Sequence, residues 1–311
     1  MEDPLLSIIV PLFNEEAVIP QFYERLKKVM DSQDGDYEII FINDGSTDRS
    51  MEALLKLRQS DPRIKIIEFS RNFGHQIAIT AGLDHAQGKA VIVMDGDLQH
   101  PPEVIPKLIQ KWKEGFELVY TVRKETKDAG YFKNLSASLF YSLINKIGDI
   151  QIPKHGADFR LVDRRVLESL KLMRERSRFM RGLFNWVGYS QTSVEFEADV
   201  RYAGVTKYSF KKMIQFALDG ITSFSSFPLR ISTYFGFMVS VISFLYAAFA
   251  IYARLFTDIA LPGWTSILVA VLFLGGVQLI TIGLLGEYIG RIYNEVKQRP
   301  LYIIRNKFGL E

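Results

Sequence analysis

Two stretches of 23 residues without a charged side chain, residues 231–253 and 264–286, constrain this chain more than any other feature. In a helix, a stretch of that length reaches roughly 34 Å, enough to cross a hydrocarbon core of about 30 Å. Core helices of soluble domains rarely run so long without a polar face, so both stretches are predicted to span a membrane. Flanking charge sets their orientation. Arg201, Lys207, Lys211, Lys212 and Arg230 precede the first, and Arg291, Lys297, Arg299, Arg305 and Lys307 follow the second. The connecting residues 254–263 offer Arg254 against Asp258. Basic residues stay on the cytoplasmic side. A multi-pass protein of the cytoplasmic (inner) membrane is therefore expected, with its large N-terminal region and both termini in the cytoplasm. The acidic N-terminus runs straight into a strand-like segment, so no secretory signal peptide is expected.

The rest of the chain divides accordingly. Residues 1–203 form a candidate cytoplasmic domain, 204–229 a juxtamembrane segment, 230–290 a two-helix transmembrane hairpin and 291–311 a cytoplasmic tail. Within the juxtamembrane segment Phe210, Met213, Ile214, Ala217, Leu218 and Ile221 recur at helical spacing around Lys211 and Lys212, a pattern suited to lying flat at lipid headgroups. The absence of cysteine excludes disulfides and thiolate metal sites. A net charge of +3 is too small an excess to indicate nucleic acid as a partner.

Residues 1–122 alternate short apolar runs (6–11, 37–42, 63–69, 89–94, 118–122) with helical patterns (15–30, 46–58, 76–86, 102–112), Ser46 or Thr47 being a suitable cap for the second helix. Continuous apolar strands separated by helices predict an α/β fold with a mostly parallel, Rossmann-like sheet covered on both faces. Ligands of such sheets gather at the carboxyl ends of the strands. The first strand-to-helix turn, Pro11-Leu12-Phe13-Asn14-Glu15-Glu16, has no glycine, which disfavours a nicotinamide or flavin cofactor.

Chemistry-bearing residues fall at the expected places. Asp95-Gly96-Asp97 follows the fourth apolar run, and two carboxylates at that spacing can hold a hard divalent cation. Gln99 can add a neutral oxygen ligand. Such an ion bridges the phosphates of a nucleotide-sugar and offsets charge on a departing diphosphate. The spacing does not choose between magnesium and manganese. Asp44, at the end of the second strand in Asn43-Asp44-Gly45-Ser46-Thr47-Asp48, is placed to accept hydrogen bonds from a nucleobase or ribose. Asp158 is the candidate orienting or acid-base carboxylate, its alternative being an ion pair with Arg160 or Arg164. His75, His85, His100 and His155 have no metal-ligand spacing and are expected to be surface or structural residues.

Together with Ser70-Arg71-Asn72-Phe73-Gly74, Asp95-Gly96-Asp97-Leu98-Gln99, Phe159-Arg160-Leu161-Val162-Asp163-Arg164, Thr206-Lys207-Tyr208-Ser209 and Leu284-Leu285-Gly286-Glu287-Tyr288-Ile289-Gly290-Arg291, these motifs cover nearly the whole chain. The chain thereby resembles the family 2, GT-A-fold glycosyltransferases, and among them the polyprenyl-phosphate sugar transferases: bactoprenol glucosyltransferases and relatives of dolichyl-phosphate mannose synthase. Gly96 stands where many relatives carry alanine, a side chain that need not bind metal. The resemblance implies that Pro11, Asn14, Glu15, Asp44 and Arg71, with Asp95, surround the nucleotide-sugar. Asp95, Asp97 and Gln99 would place the metal, and Arg123, Lys133 and Arg201 would meet phosphate near the acceptor. Arg178 is a further acceptor candidate, and Lys207 would touch the lipid phosphate, the donor or a headgroup.

The expected reaction is inverting transfer of a sugar, glucose from UDP-glucose first, to a polyprenyl (undecaprenyl) phosphate. Mannose from GDP-mannose, N-acetylated sugars and aminoarabinose derivatives are alternative donors. A processive polysaccharide synthase is disfavoured, because the chain lacks a Gln-x-x-Arg-Trp motif and two spans make a poor channel. A non-catalytic nucleotide-binding scaffold is disfavoured by the intact Asp44, Asp95, Asp97, Gln99 and Arg123. Gly275, Gly276 and Gly283 would permit close helix packing and so a homo-oligomer.

Overall fold

The computed structural model describes residues 5–124, 156–176, 178–197, 227–256 and 263–310. They fall into two compact units, one holding the N-terminal region together with the residues from Arg299 onward, the other the apolar helices.

The first unit is built on eight strands: β1 (Leu6–Leu12), β2 (Tyr37–Asn43), β3 (Ile64–Phe69), β4 (Ala90–Val93), β5 (Leu118–Arg123), β6 (Gly156–Asp163), β7 (Gln191–Phe196) and β8 (Ile304–Phe308). Their order in the sheet is β7-β5-β6-β4-β1-β2-β3-β8. The run β3-β2-β1-β4 is parallel, as the continuous apolar segments predict. Outside it the sheet is mixed. β6 enters antiparallel between β4 and β5, β7 lies parallel beside β5, and β8 closes the β3 edge antiparallel.

Every residue of β1 and β2 is buried, as strands covered on both faces must be. The polar exceptions are satisfied internally. The Ser7 hydroxyl donates to Glu38 (2.5 Å), which also accepts from the Gln87 amide (2.8 Å) and pairs with Lys65 (2.5 Å). Helices α1 (Ile19–Met30), α2 (Ser50–Ser60), α3 (His75–His85), α4 (Ile105–Lys113), α5 (Arg164–Leu172) and α6 (Met180–Trp186) complete the unit. In α1 the buried residues Ile19, Phe22, Tyr23, Leu26 and Met30 recur at helical spacing, forming one core-facing stripe.

Two helix starts differ from expectation. The first begins at Ile19 rather than residue 15, after a turn in which the Glu15 carbonyl accepts from the Val18 (3.0 Å) and Ile19 (3.2 Å) amides, while the Glu15 and Glu16 amides donate to Ser50 Oγ (3.0 Å) and Asp48 Oδ2 (3.2 Å). The second begins at Ser50 rather than residue 46, and neither Ser46 nor Thr47 caps it. Arg49 stands at the cap position without a side-chain bond, and Asp48 Oδ1, one residue before it, accepts from the Ser50 amide (3.0 Å) and hydroxyl (2.6 Å).

The second unit contains α7 (Phe227–Phe256) and α8 (Trp264–Val296). Segments Leu229–Phe249 and Val269–Val296 are each long and apolar enough to cross a membrane. Large apolar side chains on both helices, among them Phe237, Phe244 and Ile282, are exposed, as on a lipid-facing surface. Ser232 and Thr281 approach across the pair, oxygen to oxygen at 3.3 Å.

Helix α3 sits on β1 and β2 through Gly82, where a Cβ would overlap Ile9 Cγ2 and press on Ile42 Cδ1 at 3.0 Å. A branched side chain there must push the helix off the sheet. Gly82→Val is expected to cost about 1–3 kcal/mol, read as a lower apparent Tm of the detergent-solubilised protein.

Candidate active site

Strands β1 to β4 run parallel, so their carboxyl ends share one edge of the sheet, and the loops leaving that edge are laced together. Asn14, with a left-handed backbone (φ 56°), donates its amide to Ser46 Oγ (3.0 Å), and its side-chain oxygen accepts from the Thr47 amide (2.8 Å). Glu16 accepts from the Arg49 amide (2.8 Å). Ser46 and Thr47 thus join the loop after β1 to the loop after β2.

Asp44, the residue after β2, is 3% exposed and directs its carboxylate into the protein. It accepts from the amides of Phe73 (2.7 Å) and Gly74 (3.0 Å), the residues that lead into α3. Burial pushes its carboxyl upward, and the two amides oppose that shift. Arg71 spreads its guanidinium over the Phe73 ring at 4.0 Å and donates to the Asn72 carbonyl (2.9 Å). Gly45 (φ 66°) lies beneath the backbone of Arg71 and Asn72, where any Cβ would overlap it. Asp44 therefore shapes the Arg71–Gly74 loop as well as standing at the predicted nucleotide end.

The Asp95–Gln99 turn follows β4. Gly96 packs against Leu12 and Val10, with Leu12 Cδ2 occupying the place of a Cβ, which accounts for glycine here. Asp97 accepts from the backbone (3.1 Å) and side-chain (2.6 Å) nitrogens of Gln99, and between them buried Leu98 holds a left-handed conformation (φ 63°). A non-glycine residue so placed stores strain, as functional turns commonly do. The Asp95 amide donates to His100 Nδ1 (3.0 Å), so that nitrogen carries no proton. The 3.6 Å approach of the same nitrogen to Asp95 Oδ2 is then no ion pair. His100 stacks on Phe159 and is structural, as expected. His75, expected to be surface or structural, has a side chain that is 42% exposed. At the first turn of α3 its Nε2 stands 3.3 Å from Asp95 Oδ1.

Asp158 lies in β6, beyond the Val93–Arg160 pairing, so it faces the end of β4. It forms the ion pair with Arg160 (3.2 Å), and a stronger one with Arg181 of α6, through Nε (2.9 Å) and Nη2 (3.0 Å). Arg164 turns away to Glu168 (2.9 Å). Burial opposes ionisation of Asp158, but the Arg181 charge and its two bonds, with Arg160, overcome it and hold the carboxyl well below the usual range. Arg160, 4% exposed, lies over the Phe184 ring at 4.3 Å, and burial pulls its guanidinium below the ordinary value against the pull of Asp158. Neither Arg181 nor His75 was found by motif, since both reach the site only through tertiary contact.

Arg123 ends β5 and is exposed. β5 and β4 both run antiparallel to the β6 between them, so Arg123 opens on the same edge as Asp95, roughly 10 Å across by strand spacing. Lys124 pairs with Glu197 (3.4 Å). Arg178 is buried, with Nη1 on the Met173 carbonyl (2.5 Å) and Nε without a partner. Lys133, Arg201, Lys207, His155 and the amphipathic stretch 207–224 lie outside the described residues.

The donor set fits a divalent ion shared with a diphosphate. Magnesium in nucleotide sites is held by one or two carboxylates and completes its shell with phosphates and water. Asp95 Oδ1 is a buried acceptor without a hydrogen bond, facing His75 Nε2 at 3.3 Å, and Asp97 stands two residues on. Half a turn of the Gln99 amide presents its oxygen where the nitrogen now meets Asp97. Among the described residues, no group of three or more His, Cys, Asp or Glu side chains is arranged to hold a metal by itself.

Two family models match the chain: glycosyl transferase family 2 over residues 7–171, and the GtrB C-terminal hairpin over residues 227–292. The chain is 52% identical over 305 residues to YkcC of Bacillus subtilis (strain 168), an uncharacterized glycosyltransferase, covering 98% of this chain and 94% of that protein. It is 48% identical to the bactoprenol glucosyl transferase of Shigella phage SfV, covering 97% of this chain and 98% of the relative. It is 47% identical to the prophage bactoprenol glucosyl transferase homolog of Escherichia coli (strain K12), covering 96% and 98%.

Removing Arg181 would leave Asp158 with Arg160 as its remaining ion-pair partner. Arg181→Ala is expected to cost about 2–3 kcal/mol, less than for a fully enclosed pair because the Arg181 side chain is 26% exposed. A carboxyl depressed on folding stabilises fully above its unfolded value and loses that contribution as pH falls through the folded one. Without Arg181 the folded value rises, so acid unfolding followed by circular dichroism should begin at a higher pH.

Proposed function

Because the chain belongs to glycosyl transferase family 2, we propose that this glycosyltransferase moves glucose from UDP-glucose to a polyprenyl phosphate, undecaprenyl phosphate first, at the cytoplasmic face of the membrane. The observation that carries this reading is full-length similarity. Relatives named as bactoprenol glucosyl transferases align over both the sheet domain and the apolar hairpin. The orientation is supported by the basic residues flanking both spans, and the chain leaves the sheet unit before α7 and rejoins it after α8, as two crossings allow.

In this reading Pro11, Asn14, Glu15, Asp44 and Arg71 border the nucleotide, and the Asp95–Gln99 turn receives the diphosphate. Asp97, Asp95 and Gln99 would hold a magnesium or manganese ion, which supplies positive charge to the departing diphosphate. The acceptor phosphate oxygen attacks the anomeric carbon as the bond to the UDP oxygen breaks, and attack from the opposite face turns an α-linked donor into a β-linked product. The second ionisation of a phosphate monoester lies near pH 6, so the acceptor is already a nucleophilic dianion at neutral pH and needs no strong base. Asp158, tied to Arg160 and Arg181, stays ionised at neutral pH. It suits orientation of the site better than proton abstraction. What the site must chiefly supply is cationic charge for two polyanions brought together. Arg123 stands at the acceptor side, with Lys133, Arg178, Arg201 and Lys207 as further candidates.

The test is transfer by the purified protein in detergent or vesicles, with a panel of nucleotide-sugars and undecaprenyl phosphate, read by mass spectrometry of the lipid. A single hexose added from UDP-glucose supports the proposal. A different sugar reassigns the donor, and a polymer or no product overturns it. Asp97→Ala is expected to lower metal-dependent transfer by about two to three orders of magnitude, the worth of several kcal/mol at the transition state, with the fold retained by circular dichroism. Arg123→Ala should raise the KM for the lipid more than the KM for UDP-glucose, measured by varying each substrate in turn.

A further inference from the structure

The segment after α8, whose sequence carries no strand signal, returns to the sheet as β8. Several of its contacts converge on the end of β3, the loop that follows and the end of α3. The Ile303 carbonyl accepts from the Ser70 amide (2.9 Å), and Arg305 donates to the Ser70 carbonyl (3.0 Å). Asn306 donates to Glu68 (2.7 Å). Tyr302 stacks on Phe69, centroids 5.2 Å apart and planes 18° from parallel, and Phe69 meets Phe73 edge-on at 5.5 Å. The Tyr302 hydroxyl donates to Asp84 near the end of α3 (2.8 Å), and Asp84 also holds Arg174 (2.9 Å). Burial, with Asp84 beside it, pushes the Tyr302 hydroxyl far up, so it remains a protonated donor throughout the neutral range.

Phe73 and Gly74 are the residues whose amides fill Asp44, and α3 is the helix that brings His75 to Asp95. The tail therefore grips both ends of one element: Ser70 before the loop, and Asp84 at the far end of the helix that follows it. We propose that Tyr302, seconded by Arg305, is a positioning residue for the nucleotide-sugar site, and that the strand following the membrane hairpin holds the Arg71–Gly74 loop and α3 in donor-binding register. This rests on the reading of Asp44 as part of the donor site. Tyr302 touches no substrate in this account. It acts through Phe69, Phe73 and Asp84.

The experiment uses full-length Tyr302→Ala, Tyr302→Phe and Arg305→Ala, with Asp44→Ala as a control on the donor-site reading. Hydrogen exchange of the Phe73 and Gly74 amides is read beside that of β1 and β4, and KM for UDP-glucose and for undecaprenyl phosphate are measured separately. Tyr302→Ala is expected to speed exchange at Phe73 and Gly74 and to raise the KM for UDP-glucose by about tenfold, with little change in the lipid KM or in exchange of β1 and β4. Tyr302→Phe, which keeps the ring on Phe69 but removes the hydroxyl's bond to Asp84, should fall between the parent and Tyr302→Ala in both readouts. A purely structural tail would instead lower the amount of active protein and leave both KM values unchanged, which overturns the proposal. Unchanged exchange at Phe73 and Gly74 in Tyr302→Ala overturns it as well. If exchange rises and the KM for UDP-glucose does not, Asp44→Ala decides what has failed. A raised KM in that control rejects the positioning role alone, and an unchanged KM rejects the donor-site assignment and the positioning role with it. Should Tyr302→Ala fold poorly, Arg305→Ala carries the same test. Its side chain is 58% exposed, and its removal deletes the bond to Ser70 without opening the core.

Discussion

Four carboxylates stand at one edge of this sheet, and partly buried like charges so placed must each be neutralised or they will not all ionise. The structure resolves this differently for each. Asp44 is met by two backbone amides at the start of a helix, where the helix dipole also favours negative charge. Asp158 is clamped by two guanidinium groups. Asp97 is bonded to both nitrogens of Gln99. Asp95 keeps one buried oxygen without a hydrogen bond. Acceptor capacity not spent on hydrogen bonds therefore lies at the turn after β4, where His75 Nε2 stands 3.3 Å from that Asp95 oxygen.

Backbone geometry does much of the positioning. Asn14 and Leu98 adopt left-handed conformations that cost free energy, and each is over-determined by its neighbours, Asn14 by Ser46 and Thr47, Leu98 by burial between Asp97 and Gln99. Gly45 and Gly96 remove side chains where another loop or strand presses in. The loops after β1, β2, β3 and β4 thus form one laced surface. Hydrogen bonds join the first three, and the fourth meets them through His75 beside Asp95 and Gly96 against Leu12.

The parallel half of the sheet was legible in the sequence because its strands are continuous apolar runs, and a strand buried on both faces leaves no other signature. In the other half only β5 was, as the apolar run 118–122. β6 carries Arg160 and Asp158 among apolar residues, and a buried charge pair looks from sequence like a surface segment. β8 is Ile-Arg-Asn-Lys-Phe, an edge strand whose polar middle faces solvent, so no periodicity rises above that of a tail. The site divides in the same way. Asp44, Asp95, Asp97 and Asp158 were legible from their places at the ends of apolar runs or within motifs. Arg181 lies 23 residues from its partner Asp158, and His75 lies 20 residues before Asp95, separations at which only the fold brings them together. Ser46 and Thr47 were misread for a related reason. They have the composition of helix caps, but the loop after β1 claims them first.

The hairpin is not an appendage at the end of a finished domain. It is inserted between β7 and β8 of a single sheet, so the sheet is complete only when the chain has left the domain and come back. For a hairpin that crosses the bilayer, only an even number of crossings returns β8 to the side where β3 waits. Until it does, β3 is an unpaired edge, its Phe69 lacks the ring that stacks on it, and a bare strand edge is a liability in a protein still being made. A chain whose second span failed to insert would carry Tyr302 on the far side of the membrane, with the loop that seats Asp44 left without its brace. Completion of the β3 edge therefore depends on the chain that follows the hairpin returning to the sheet.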